Sequence, residues 1–422
     1  MDHVHSKESF RVAVLGAGPA GLYAAAELLK RDDTIHVDIF DKMDVPFGLI
    51  RFGVAPDHPH TRAVCKVFDT MLKDPRVRFL GGVAIGATLS VEQLSGFYNA
   101  VVVATGAESA NQLDIDGSKL PGVCSALDFV GWVNGRPGLL EQPVPLTATT
   151  AVIIGNGNVA LDVVRLLLKP PADFAGTDIN SNALSALQLS NIRHVHVLGR
   201  RGPAQASFRL QELEEVLELP DCDIHVSRDD LILCDASLAE LSGDGAAVRA
   251  RRQIVDAFRG AVNRSSSGAE KQLTFRFCES PVCFEGNNTV ERMTLSKNTL
   301  RGSAGDQTVV ASDNVRSLTC GLVISSIGQR GVPLQGIPFD ATYGIIPSVD
   351  GRIQGRNGTL VGLYASGWIS RGATGLIGHN KPDAKKVVDA ISEDRASLKR
   401  RDERDVLTYL TDMGIQPVPY CQ

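Results

Sequence analysis

The sequence predicts an α/β protein in which one βαβ-based domain is inserted into another, and three observations carry that prediction. A short apolar strand, Arg11–Leu15, runs into Gly16-Ala17-Gly18-Pro19-Ala20-Gly21 and then into a helix-like run, Leu22–Lys30. The same order returns as Thr150–Ile154, Gly155-Asn156-Gly157-Asn158-Val159-Ala160 and Leu161–Leu168. Further apolar runs at Asn99–Thr105, Gly321–Ser325 and Thr359–Ala365 suggest a chain that leaves the first domain, builds the second and returns.

A chain of 422 residues is long enough for two or three domains with buried cores. Its 43% hydrophobic and 22% charged content is ordinary for a globular protein. With only 5% aromatic residues and a net charge of −5, a nucleic-acid partner is not expected. No apolar run approaches the roughly 20 residues that span a bilayer, so no membrane partner is expected either. Met1–Phe10 holds His, Lys, Asp and Glu and lacks the character of a leader, which makes a cytoplasmic location the expectation. The eight cysteines are scattered, with no C-x-x-C pair and no zinc spacing, so no metal site is expected.

Each part of the first unit has a physical task. Gly16 permits the tight turn, Gly18 lets backbone approach a pyrophosphate without a Cβ in the way, and Gly21 allows close helix–strand packing. The helix N-terminus offers unpaired N–H groups and the positive end of its dipole to phosphate. The second strand, His36–Phe40, ends in Asp41, 20 residues after Gly21, where a carboxylate suits an adenosine ribose. In the second unit Ala160 takes the third glycine position, and the strand His194–Leu198 ends in Gly199-Arg200-Arg201. Paired guanidiniums suit a 2′-phosphate, so this unit is read as a site for NADP rather than NAD. The fold class is therefore α/β, with two Rossmann-like dinucleotide-binding domains. Between helix and strand of the second unit, Pro170–Asn191 reads as a long connection with a short helix of its own.

Beyond the glycine turns, the chain carries Val45-Pro-Phe-Gly-Leu-Ile-Arg-Phe-Gly-Val-Ala-Pro-Asp-His-Pro59, Gly199-Arg-Arg-Gly-Pro203, Ser366-Gly-Trp368 and Arg371-Gly-Ala-Thr-Gly-Leu-Ile377. With Gly155–Asp162, these stretches closely resemble adrenodoxin reductase and its bacterial relatives, the NADPH-ferredoxin reductases of the glutathione reductase superfamily. The resemblance runs from about Val12 to Asp383. It implies an FAD domain over 1–107 and 330–422 and an NADP domain over 108–329. It implies FAD contacts from Ala20, Asp41, Leu49, Ile85, Trp368 and Gly375-Leu376-Ile377, beside the glycines Gly16, Gly18 and Gly21. NADP would be held by Asn156, Gly157, Asn158, Val159, Arg200, Arg201 and Glu212, with Gly375 also near the nicotinamide. His58 and Glu215 match a histidine and an acid near the nicotinamide–flavin junction of relatives, in orienting or proton-handling roles. Read without the resemblance, Asp57-His58-Pro59 is a plain turn, and the glutamates of Phe208–Leu219 form a solvated helix face.

The implied activity is NADPH-dependent ferredoxin reduction: a hydride passes from NADPH to FAD, then single electrons pass to a ferredoxin-type iron–sulfur partner that feeds an oxygenase or biosynthetic enzyme. Arg249, Arg251, Arg252, Arg259 and Arg264, opposed within 246–264 only by Asp256, form a basic segment that could steer an acidic partner. A solvated insert is the plainer reading of the same charges. The stretch between Leu219 and Phe277 is shorter than in adrenodoxin reductase and the tail is trimmed, which leaves the partner open. A disulfide reductase is disfavoured because Asp44–Ile50 holds no cysteine where those enzymes place their dithiol. A reductase with a quinone or small-molecule acceptor, or a flavin- and NADP-binding protein without turnover, are the remaining alternatives.

Overall fold

The computed structural model describes residues 9–141, 144–264, 266–400 and 402–421. The N-terminal segment on which the cytoplasmic expectation rests lies, up to Glu8, outside these residues. The chain enters through β1 (Phe10–Leu15), α1 (Pro19–Arg31), β2 (Ile35–Phe40), β3 (Val77–Leu80) and β4 (Ala100–Val103). It continues through β5 (Val123–Ser125), β6 (Thr150–Ile154), α2 (Asn158–Leu168), β7 (His194–Gly199), α3 (Leu210–Leu217), β8 (Cys222–Val226), α4 (Ala246–Val262) and β9 (Lys271–Phe277). An antiparallel trio follows, β10 (Glu279–Glu285), β11 (Arg292–Arg301) and β12 (Thr308–Thr319), then β13 (Leu322–Ser325). The return segment supplies β14 (Ser348–Val349), β15 (Arg352–Gly355), β16 (Gly358–Ala365) and α5 (Asn380–Asp394).

Contacts divide the chain into two compact units. The first takes the chain up to Val54, His58–Ala110 and Gly328 onward; the second takes Asn111–Ile327 with Ala55–Asp57. The unit changes thus fall at 110/111 and 327/328, against 107/108 and 329/330 in the sequence reading, with Ala55–Asp57 assigned to the second unit as well.

In the first unit the sheet order is β14-β15-β16-β4-β1-β2-β3, parallel around β1. Side chains alternate across a strand, and both faces of β1 are covered. Val12 and Val14 join the core with α1 and α5, while Ala13 and Leu15 join the core on the opposite face with Val101 and Val103. Burial on both faces is why these strands read as unbroken apolar runs. The order reverses at β1, which has β2 on one side and β4 on the other. Ligands of open α/β sheets bind outside the C-terminal strand ends at such a reversal.

The second unit has the order β5-β13-β6-β7-β9-β8. Ala151, Ile153, Val195, Val197, Leu273 and Phe275 face α2, α3 and α4 in one core. Val152, Ile154, Leu198 and Val323 face the other way, against Phe284, Met293 and Leu295 of the antiparallel trio. A small sheet covers this face, where doubly wound folds carry helices. The connection 170–191 folds as a 3₁₀ turn, Pro171–Phe174, and a helix, Ser181–Gln188, whose N-cap Asn180 side chain accepts N–H bonds from Asn182 and Ala183.

Candidate functional site

The site in the first unit begins where β1 turns into α1. Gly16 has φ +107°, and a Cβ there would stand 2.5 Å from the Ala104 carbonyl oxygen. A Cβ at Gly21 would collide with the Gly16 carbonyl and lie 2.9 Å from Val14 Cγ1. Gly18 is different: a Cβ there meets no protein atom within 4 Å. The first and third glycines are needed by the protein's own packing, and the second faces open space. Gly18 is also the N-cap of α1, with no side-chain cap and Pro19 beside it, so the first-turn N–H groups are left to a ligand. This arrangement fits a pyrophosphate.

Asp41 closes the turn from β2. Its Oδ2 accepts the Ala17 N–H at 2.7 Å and its Oδ1 the Met43 N–H at 2.9 Å. Burial, the largest influence, lifts its carboxyl above the ordinary range, against those two donors and Lys42. An ionised carboxylate offers about four lone-pair sites, so acceptor capacity is left for ribose hydroxyls.

The run after β2 packs onto the same turn. Phe47 N–H donates to the Ala17 carbonyl at 2.8 Å. Gly48, at φ +48°, lies so near that a Cβ would stand 2.9 Å from Gly18 Cα. Phe47 itself has φ +86° and is 4% exposed. A bulky side chain in that region is strained, and surrounding contacts must hold it there. Leu49 opens the one-turn helix that follows, and Ile85 packs at the edge of the second core of this unit. His58 is the N-cap of another single turn, Pro59–Arg62.

The return segment meets α1. Gly367, at φ +77°, sits where a Cβ would be 2.9 Å from Asn380 Oδ1 and would collide with Ala20 Cβ. Ser366 Oγ is buried without a hydrogen-bond partner among the described residues. Trp368 Nε1 donates to the Thr374 carbonyl at 2.7 Å, and Arg371 Nε to Asp383 Oδ2 at 2.6 Å. Asn380 Nδ2 donates to the Ile377 carbonyl at 2.9 Å, and Leu376 N–H to His379 Nδ1 at 2.9 Å. These bonds fix a loop in which Gly375, at φ +78°, and Leu376 remain exposed.

The second unit repeats the glycine geometry. Gly155 has φ +134° and a Cβ would strike the Ser326 carbonyl, whereas Gly157 again faces open space and N-caps α2 without a side-chain cap. Asn156 lays its amide over Gly199 at the end of β7, where any Cβ would collide with it, and its buried Oδ1 has no hydrogen-bond partner among the described residues. Asn158 Oδ1 accepts the Arg209 N–H at 2.8 Å, and Val159 borders the core. Arg200 and Arg201 follow Gly199, and among the described residues neither guanidinium has an ion-pair partner. A 2′-phosphate fits beside them.

Glu212 and Glu215 sit on α3 and share one cation. Arg165 of α2 is 0% exposed. It reaches Asp57 Oδ2 at 3.0 Å, Asp162 Oδ1 at 2.5 Å, Glu212 Oε2 at 3.2 Å and Glu215 Oε2 at 3.8 Å. Burial alone would raise the Asp57 carboxyl, but Arg165 and Lys169 outweigh it and hold it below its ordinary value. So α3 is not a uniformly solvated face. Glu214 and Glu218 are exposed, while the Glu212 side chain is 15% exposed against Arg165.

The basic segment needs a correction. Arg251 pairs with Glu240 at 2.5 Å, Arg252 with Asp244 at 3.9 Å and Arg259 with Asp256 at 3.0 Å. Arg249 donates to the Asp244 carbonyl and Arg264 to the Leu217 carbonyl. Glu240 and Asp244 precede α4 and fold back on it, so the charge is partly neutralised by acids outside the 246–264 window.

Residues 14–78 match the model of the NAD(P)-binding Rossmann-like domain. The chain is 41% identical over 402 residues to NADPH-ferredoxin reductase FprA of Mycobacterium tuberculosis, covering 92% of this chain and 85% of that protein. The family is decided by this match. The chain belongs to the NADPH-ferredoxin and adrenodoxin reductase family. The mitochondrial NADPH:adrenodoxin oxidoreductase of Arabidopsis thaliana is 39% identical, over 92% of this chain and 83% of its own. The solved structure of M. tuberculosis FprA in complex with NADPH superposes with a TM-score of 0.88 at 38% identity, over 96% and 89% of the two chains. Thioredoxin reductase of T. acidophilum shares the fold alone, at 14% identity and a TM-score of 0.53 over 92% of this chain and 100% of its own. In this reductase-family chain the eight cysteines are free thiols, and among the described residues no helix is long and apolar enough to cross a membrane.

Sequence reasoning missed Phe47, Gly48, Gly367, Asn380 and Arg165 as site residues. Gly48 close after Pro46 is a local turn signal, but nothing local encodes its approach to Gly18. Arg165 reads as one more basic residue on an amphipathic helix.

Proposed function

We propose that this chain oxidises NADPH and passes single electrons to a ferredoxin-type iron–sulfur protein, with FAD in the first unit and NADPH in the second. The observation that carries the reading is the pair of second glycines, Gly18 and Gly157. Each faces open space at an uncapped helix start, while every other glycine of the two turns is claimed by protein packing. Bound FAD supplies the conversion between a two-electron donor and a one-electron acceptor.

The chain's own residues then bind and orient. In the first unit the pyrophosphate approaches over Gly18, with Ala20 beside it and Gly16 and Gly21 shaping the turn, and Asp41 takes the ribose. Leu49, Ile85, Trp368 and Gly375-Leu376-Ile377 line the rest. In the second, Asn156, Gly157, Asn158 and Val159 hold the nucleotide, Arg200 and Arg201 take the 2′-phosphate, and Glu212 completes the set. His58 and Glu215 orient the nicotinamide end and handle protons there. Hydride transfer needs no protein base, so alignment is the main task. The partner docks transiently and is steered electrostatically, drawn by arginines such as Arg259 that stay half-exposed on α4. A cytoplasmic setting completes the reading.

Anaerobic mixing with NADPH or NADH, followed at the flavin absorbance, tests it, with ferredoxin and cytochrome c added afterwards. Fast bleaching by NADPH, slow bleaching by NADH and ferredoxin-dependent cytochrome reduction are expected. Bleaching without ferredoxin dependence would remove the ferredoxin assignment. No bleaching with either nucleotide would remove the activity altogether.

A further inference from the structure

The strained Phe47–Gly48 corner, with Phe47 at φ +86°, lies against the glycine turn, and Ile50 N–H donates to the Phe47 carbonyl at 3.0 Å. A further contact on its ring comes from the far end of the chain. After the helix Val406–Asp412, Gly414 at φ +76° reverses the chain into Ile415-Gln416-Pro417-Val418-Pro419-Tyr420. The two prolines lack N–H groups and restrict the segment, leaving Val418 as the donor between them. Val418 N–H donates to the Gly81 carbonyl at 2.9 Å, and Gly81 N–H donates back to Val418 at 2.8 Å. This antiparallel bridge sets Tyr420 beside the corner. Its ring meets Phe47 edge-on at 6.3 Å between centroids and Phe79 at 6.4 Å, and its hydroxyl donates to Asp69 Oδ1 at 2.5 Å.

The same segment braces the strand end next to the corner. Gly82 N–H donates to the Met43 carbonyl at 3.2 Å, and a Cβ at Gly81 would stand 3.0 Å from the Asp44 carbonyl. Arg51 stacks over the Phe47 ring at 5.5 Å. Phe47 thus has both Arg51 and Tyr420 against its ring, with its backbone tied to Ala17.

We infer that Tyr420 is a positioning residue for FAD: the 415–420 strap presses Phe47 into its strained conformation and so keeps Gly48 against Gly18 in the pyrophosphate cradle. It acts on the cradle through Phe47. The inference rests on the assignment of the Gly16–Gly21 turn to FAD.

The test compares the full chain with Tyr420→Ala, Tyr420→Leu and Tyr420→Phe. The apoprotein of each is titrated with FAD and followed by flavin fluorescence and by the visible absorption fine structure. Tyr420→Ala is expected to raise the FAD dissociation constant about ten-fold and blur the fine structure. Tyr420→Phe keeps the ring contacts and is expected to stay within about two-fold of the parent. Tyr420→Leu keeps apolar bulk should the alanine variant fail to fold, and is expected to fall between the two. NADP⁺ affinity is expected to be the same in all. The inference is overturned if the alanine and leucine variants bind FAD as tightly as the parent while only the apoprotein melting temperature falls. It is equally overturned if Tyr420→Phe loses as much affinity as Tyr420→Ala. Failure of the underlying assignment looks different, because the unsubstituted chain would then not bind FAD.

Discussion

Replacing Gly18 by Ala separates what the turn does for the protein from what it does for the ligand. Gly18 has φ −80° and ψ −178°, which alanine adopts freely, and a Cβ there meets no protein atom within 4 Å. Losing a glycine from the unfolded ensemble stabilises by about 0.4–1 kcal/mol. Alanine is a poorer N-cap than glycine by a similar amount, so the two effects offset. The apoprotein should melt within a few degrees of the parent. The ligand side is different. The methyl group occupies the space through which the pyrophosphate reaches the α1 N–H groups. Losing one or two charge-assisted hydrogen bonds costs about 3 kcal/mol, or roughly 100-fold in dissociation constant. The contrasting variant is Gly21→Ala, whose Cβ would collide with the Gly16 carbonyl. It should destabilise the apoprotein by about 1–3 kcal/mol through overpacking. The assay pairs FAD titration by fluorescence with thermal melting by circular dichroism. If Gly18→Ala binds FAD like the parent, or destabilises the apoprotein as much as Gly21→Ala, the division of tasks within the turn is wrong.

Other expectations follow from the same geometry. Arg200→Ala and Arg201→Ala should each lower kcat/KM for NADPH by roughly 10-fold or more and leave NADH nearly unchanged, since each removes charge-assisted bonds to a group NADH lacks. Equal losses with both nucleotides in steady-state assays would contradict the 2′-phosphate assignment. Arg165→Met should destabilise the chain by about 3–5 kcal/mol in urea titration, because Asp57, Asp162 and Glu212 are left around an empty centre. Adding Asp57→Asn should restore part of that loss. His196 is pushed down to about 4, first by burial and then by Arg276, whose Nε donates to its Nδ1 at 3.2 Å. The unfolded chain therefore takes up the proton first as pH falls below about 6.5, and stability should drop between there and about 4, by at most about 3 kcal/mol. His196→Gln should flatten that part of the urea-stability profile, and an unchanged slope would assign the effect elsewhere.

The two βαβ turns were legible because their determinants are local. Glycines at fixed spacing, an apolar strand before and a helix after specify the same conformation in any chain that carries them. The position of Arg200 and Arg201 was legible for the same reason, since they follow β7 directly and β7 adjoins β6 in the sheet. The helices began earlier than their apolar patterns suggested: α1 starts at Pro19 and α2 at Asn158, because small and polar residues open a helix without contributing to its apolar stripe. The run Val45–Pro59 was recognisable as a motif, but not as a strained corner.

Charge was the poorest guide. A window over 246–264 sees i,i+3 and i,i+4 neighbours and so finds Asp256, but Glu240 lies 11 residues from Arg251 and reaches it only through the chain reversal before α4. Arg165 shows the same limit more sharply. On its helix it has one acidic neighbour within a turn, Asp162, while Asp57 lies 108 residues away and Glu212 47. The sequence by itself determined the two glycine turns, the strand polarity and the place of the arginine pair after β7, all set by residues within one βαβ unit. The tertiary structure decided which distant residues complete each site. Tyr420 on Phe47, Gly367 on Ala20 and Arg165 among its acids are contacts between segments far apart in the chain, fixed by sheet order and packing, which no local pattern encodes.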